Sequence, residues 1–128
     1  MSLAIAPKRS YILRASTADG AANITGVTQK NGHYYKGLRL SIVVSAITGT
    51  SVTFTIEGLD PLTGGAYTLL AAAAISAASA TPVPLIIYPG AIAVANVVLN
   101  QTLPLWWRIK TTGTYTVCTS SVYAELIP

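Results

Sequence analysis

Cysteine is nearly absent from this 128-residue chain, and the single residue, Cys118, excludes both an intrachain disulfide framework and a multi-cysteine zinc site. Charge is equally scarce. Only 9% of residues are charged, eight Lys and Arg against four Asp and Glu, and histidine occurs once, at His33. A catalytic centre needs convergent titratable groups, and the candidates are His33, Cys118, Asp19, Asp60, Glu57 and Glu125. Long apolar runs are missing too. Residues 69–80 are too few, and residues 82–99 are interrupted by Pro82, Pro84, Pro89, Gly90 and Asn96, whereas a membrane-spanning helix needs about 20 uninterrupted apolar residues. The opening residues place Lys8 and Arg9 after a short apolar stretch, the reverse of a secretion signal, so no export signal and no membrane partner are expected.

What is abundant is apolar surface: 52% of residues are hydrophobic and the mean hydropathy is +0.54. Such a composition excludes disorder and describes one folded domain. At this length a domain buries roughly two-thirds of the surface its unfolded chain exposes, enough for a core without disulfide or metal staples. So apolar a chain with so few charges is expected to bury part of its exterior against other chains. The formal net charge is +4, and Lys8, Arg9 and Arg14 all precede the first acid, Asp19. A basic N-terminal region attracts polyanions and acidic protein surfaces alike, and three charges are also what a solvated terminus carries.

Period-two alternation dominates. Leu38, Leu40, Ile42, Val44 and Ala46 share one face of an extended segment that Gly37 opens and Thr48-Gly49-Thr50 closes. Val52, Phe54 and Ile56 repeat the pattern against Thr53, Thr55 and Glu57, so the glycine-containing link reads as a hairpin. Residues 58–65 stack turn formers around Asp60-Pro61. Residues 66–78 are read as a strand, because the flanks are β-rich and the alanines lack helix caps. Residues 83–88 and 92–99 read as further strands. Leu105, Trp107 and Ile109 alternate with Trp106, Arg108 and Lys110, which turns Trp107 inward and sets Trp106 on a face with two cations. A turn at Thr111-Thr112-Gly113 leads to Tyr115 and Val117. Beyond Ser120-Ser121 the apolar phase slips to Val122, Ala124 and Leu126, as a β-bulge would cause. Residues 11–15 read as a first strand, and residues 30–33 as a turn feeding Tyr34 and Tyr35. About eight short strands with frequent turns give an all-β chain, an antiparallel sandwich of jelly-roll or immunoglobulin-like type. Its organisation is an N-terminal arm, residues 1–10, and one domain, residues 11–128. Ile42, Val44, Phe54, Ile56 and Trp107 should be buried together.

No chemistry-bearing motif stands out. Cys118 sits mid-strand among threonines, where a small buried hydrophobe is the common role. His33 follows Asn31-Gly32 as turn histidines do, and Asp60 before Pro61 is accounted for as a turn residue. Gly64-Gly65 lacks the lysine and helix start of a phosphate loop, and no GxGxxG follows a strand. No catalytic residue, cofactor, metal site or sequence-specific nucleic-acid site is expected. Trp106, Arg108 and Lys110 could stack on sugars or bases and pair with anions. At a subunit contact, where Trp and Arg are enriched, the same three residues would cover apolar surface, and that reading is preferred.

The segments Gly37-Leu-Arg-Leu-Ser-Ile-Val-Val-Ser-Ala-Ile-Thr, Ser51-Val-Thr-Phe-Thr-Ile-Glu-Gly-Leu-Asp-Pro-Leu-Thr-Gly, Ala66-Tyr-Thr-Leu-Leu, Ile87-Tyr-Pro-Gly and Leu103-Pro-Leu-Trp-Trp-Arg-Ile run in order between residues 37 and 127. In this order the chain resembles the small β-sandwich structural proteins of tailed bacteriophages. It departs from that pattern at Trp106, where one of the two tryptophans is commonly a charged residue, and in a less polar turn after the alanine-rich strand. The resemblance implies a non-enzymatic virion component, made in the host cytoplasm and placed on the capsid surface as a cement or decoration protein. Its expected partners are the major capsid protein and copies of itself, as a homo-oligomer with a trimer as the guess. A head–tail or tail component, or a carbohydrate-binding host-attachment module using Trp106 with Tyr34 or Tyr35, are the alternatives. The residues expected to meet partners are Leu3, Ile5, Lys8 and Arg9 on the arm, and Trp106, Arg108 and Lys110 on the sheet.

Overall fold

In the computed structural model, residues 9–20, 23–32 and 34–128 are described. They form eight strands and no helix: β1 (Ser10–Asp19), β2 (Ile24–Thr25), β3 (Gln29–Lys30), β4 (Gly37–Leu59), β5 (Ala66–Ala71), β6 (Val83–Ile87), β7 (Val98–Leu99) and β8 (Trp106–Ile127). One hydrogen-bonded network joins them in the order β1-β8-β4-β6-β7, with β2 and β3 added to β8 and β5 added to β4. Every pair of strands is antiparallel except β6 with β7. The all-β expectation is met.

Two strands differ from the sequence reading. The hairpin expected at Thr48-Gly49-Thr50 and the turn expected at Thr111-Thr112-Gly113 are both absent, because β4 and β8 each run through their glycine. The two strands pair with one another from Gly37↔Ile127 to Gly58↔Trp107. Gly49 and Gly113 hold φ of 145° and 148°. A Cβ there would stand 2.4 Å from Tyr115 Cα and 2.2 Å from the Ser51 carbonyl oxygen, respectively. The glycines therefore serve close backbone approach within a ladder, a role that resembles a turn signal in sequence. Register shifts on both sides of Gly49 add bulges, which bend the strand that carries them.

The bend divides each long strand. The first part of β4 lies between β6 and the last part of β8, which β1 flanks; the last part of β4 lies between β5 and the first part of β8, which β2 and β3 flank. Both divisions supply one core. Leu38, Leu40, Ile42, Val44, Val52, Phe54 and Ile56 from β4 cluster with Trp107, Ile109, Tyr115, Cys118, Val122, Ala124 and Leu126 from β8. Ile42, Val44, Phe54, Ile56 and Trp107 are thus buried together as their alternation requires. Each large side chain fully removed from water contributes roughly 1.5–3 kcal/mol.

The phase slip on β8 is real but lies upstream of its expected place. Thr48 pairs with Val117 and Gly49 with Tyr115, so Thr116 is the extra residue. Cys118 is therefore buried, as expected of a small mid-strand hydrophobe, while Val117, expected on the same face as Tyr115, is exposed. Leu105, expected inward, is partly exposed ahead of the strand. The alanine-rich segment leaves the ladder after Ala71, as residues without β-branched side chains do. It is held by reciprocal bonds between Ile75 and Val52 (2.8 and 3.0 Å) and by Ser79 N donating to Val44 O (3.0 Å). Of residues 92–99 only Val98–Leu99 form a strand, after Asn96 turns the chain at φ 63°. The arm is also shorter than expected at its inner end, since Ser10 opens β1 and Leu126 N donates to Arg9 O at 2.6 Å.

Candidate functional site: a cationic aromatic face of the sheet

Alternation along β8 projects Trp106, Arg108 and Lys110 from the face opposite the core, while Trp107 and Ile109 enter it. Antiparallel register then fixes what stands beside them. Lys30 is opposite Trp106, Thr25 and Thr55 flank Lys110, and Glu57 is opposite Arg108 with Thr68 on its other side. Directly opposed residues share a face, so these side chains form one patch.

The patch has internal partners. Arg108 Nε donates to Glu57 Oε1 at 2.9 Å, and Lys110 Nζ lies 4.0 Å from Glu57 Oε2. Glu57 is 6% exposed, so the two cations share a nearly buried carboxylate. Lys30 Nζ stands 5.4 Å from the centroid of the Trp106 ring, a cation–π contact. Lys30, Arg108 and Lys110 against Glu57 leave a formal excess of two positive charges.

Beside Trp106 a short loop displays an aromatic ring. Asn31 is buried, and its side chain closes the loop twice, Nδ2 donating to Tyr35 O at 2.7 Å and Oδ1 accepting from Tyr35 N at 2.8 Å. Asn31 N donates to Leu105 O at 2.7 Å, which docks the loop next to Trp106, and Tyr34 N donates to Asn31 O at 3.2 Å. Tyr34 is held at φ 53° and is 81% exposed. A bulky side chain at positive φ is an uncommon, strained conformation.

Trp106, Arg108 and Lys110 are therefore brought together as the sequence predicts, while Arg9 is placed at the other end of β8, its Nε donating to Leu126 O at 3.4 Å. Leu3, Ile5, Lys8 and His33 lie outside the described residues. The titratable candidates are dispersed. Asp19 pairs with Arg14. Asp60 closes its own turn, Oδ1 accepting from Leu62 N at 2.9 Å and Oδ2 from the Thr63 hydroxyl at 3.1 Å. Glu125 stands between Ser10 and Arg39 on the sheet. Burial pushes the Cys118 thiol up, the Asp19 carboxylate adds to this, and Arg14 opposes it. Among the described residues no three His, Cys, Asp or Glu side chains gather as metal ligands.

Sequence reasoning missed Glu57 as a buried partner, Lys30 as the cap on Trp106, and Asn31 as the anchor of the Tyr34 loop. The first two depend on register between distant strands; the third had a local signal, Asn-Gly before two tyrosines. A second exposed feature lies on the other division of the sheet, where Ile12, Tyr123, Ser41 and Pro84 stand in one cross-strand row. A groove of about 430 Å³ runs past Ile12, Val43, Pro82 and Tyr123. Comparisons with protein-family models, curated proteins and solved structures return no match.

Proposed function

We propose that this protein is a non-enzymatic structural component of a tailed-phage virion, acting on the capsid surface as a cement or decoration protein that bridges the major capsid protein and copies of itself. The observation that carries this reading is the outward apolar row on β1, β8 and β6: Ile12 is 66% and Tyr123 43% exposed in a chain with few surface charges. Contiguous exposed apolar surface marks sites of protein contact. Weak contacts repeated over a symmetric lattice add through multivalency. Bending β4 and β8 at Gly49 and Gly113 would stack the two divisions as the layers of a sandwich, with this row on one exterior and the Trp106 patch on the other. The arm, with Leu3, Ile5, Lys8 and Arg9, would reach a neighbouring subunit, and the assembly unit would be a homo-oligomer such as a trimer.

Quantitative mass spectrometry and a density map of purified virions test the reading. Copy numbers comparable to the major capsid protein, with density on the head, support it. Absence from purified particles, or density confined to neck or tail, overturns the capsid placement.

A further inference from the structure

We infer that the Tyr34–Trp106 corner, with Lys30, Arg108 and Lys110, is a binding site for an acidic polysaccharide, a chain of sugar rings carrying carboxylates. The inference stands apart from the virion reading, since it concerns the other division of the sheet.

Three observations converge on this ligand class. First, the Asn31 clamp holds Tyr34 at φ 53° with its ring 81% exposed, a conformation whose strain serves no burial. An exposed aromatic ring offers an apolar face on which a sugar ring can lie, and the Asn31–Leu105 bond ties the Tyr34 loop to the residue before Trp106. Second, the cations are few and are set along one line of the face. Lys30 covers the indole, Arg108 is tied to Glu57, and Lys110 lies 4.0 Å from the second Glu57 oxygen. An excess of two charges fits a polymer with one carboxylate every ring or two. Third, Thr25, Thr55 and Thr68 border the cations in cross-strand register and offer hydroxyls that both donate and accept, as sugar hydroxyls require.

Single-stranded nucleic acid also combines rings with anions, and the patch disfavours it. Its affinity grows with the number of phosphates neutralised, whereas this patch offers three cations, two of them already paired with a buried carboxylate that repels a densely charged strand.

Calorimetry with polygalacturonate, hyaluronate and alginate, each compared with neutral dextran and oligo(dT), tests the site on the full chain. At least one acidic polysaccharide should bind more tightly than dextran and oligo(dT), with affinity falling as salt rises. Tyr34→Ala and Lys110→Glu should each weaken that binding by about tenfold or more. The melting temperature of Tyr34→Ala should match the parent, since that ring is 81% exposed, whereas Lys110→Glu sets a second carboxylate beside Glu57 and is compared below its own melting transition. The proposal is overturned if none of the three acidic polymers binds, if dextran or oligo(dT) binds as tightly, or if both variants bind as the parent does.

Discussion

Glu57 and Arg108 face one another across β4 and β8, joined at 2.9 Å between Nε and Oε1, with Glu57 6% and the Arg108 side chain 24% exposed. The pair ties the cationic patch together, because the second carboxylate oxygen lies 4.0 Å from Lys110 Nζ. Glu57→Ala removes the acceptor and leaves two cations side by side. A hydrogen bond to a charged group contributes about 1.5–3 kcal/mol, so a loss of stability in that range is expected by urea denaturation, with Glu57→Gln recovering part of it. Equal stability of Glu57→Ala and the parent would show that the pair is only a surface contact.

Gly113, the one glycine of β8, should resist replacement. At φ 148° any side chain is strained, and its Cβ would stand 2.2 Å from Ser51 O, a backbone atom fixed in the opposing strand. Gly113→Ala is expected to lower stability by ~2 kcal/mol or more. Gly20→Ala, where a Cβ meets open space, should change it by less than about 0.5 kcal/mol. Similar melting temperatures for the two variants would argue against a continuous β8.

These glycines also show what could be read before the structure. Alternation within Leu38–Val44 and Val52–Ile56 was legible because each residue's face depends only on its neighbours in the strand. Whether Gly49 closes a hairpin or bends one long strand is decided by Tyr115, sixty-six positions away in the chain, and no local pattern encodes that contact. The patch divides the same way. Trp106, Arg108 and Lys110 share a face by period two, whereas Glu57 and Lys30 join them only through register between β4, β3 and β8.

Burial of Cys118 ties stability to pH. Because the folded-state thiol is pushed above its ordinary value of about 8.5, folding favours the protonated form. That contribution is fully present below the unfolded value and is lost as pH rises toward the folded one. Urea midpoints taken between pH 7.5 and pH 9.5 should therefore fall more for the parent than for Cys118→Ala, which lacks the titrating group. Tyr11, also pushed up by burial, is common to parent and variant, so its contribution cancels in the comparison. Parallel pH profiles for parent and variant would refute the assignment to Cys118.

Ile12 and Tyr123 are directly opposed on β1 and β8 and point away from the core, so the fold gains little from their apolar character. Ile12→Ser with Tyr123→Ser should leave the melting free energy within about 0.5 kcal/mol per site, the usual range for exposed positions. If this row is a contact surface, the same double variant should lose self-association in sedimentation experiments and load poorly onto particles that lack the protein. A variant that associates and loads as the parent does would return these side chains to ordinary solvated surface, and the contacts of the assembly would then have to come from the arm.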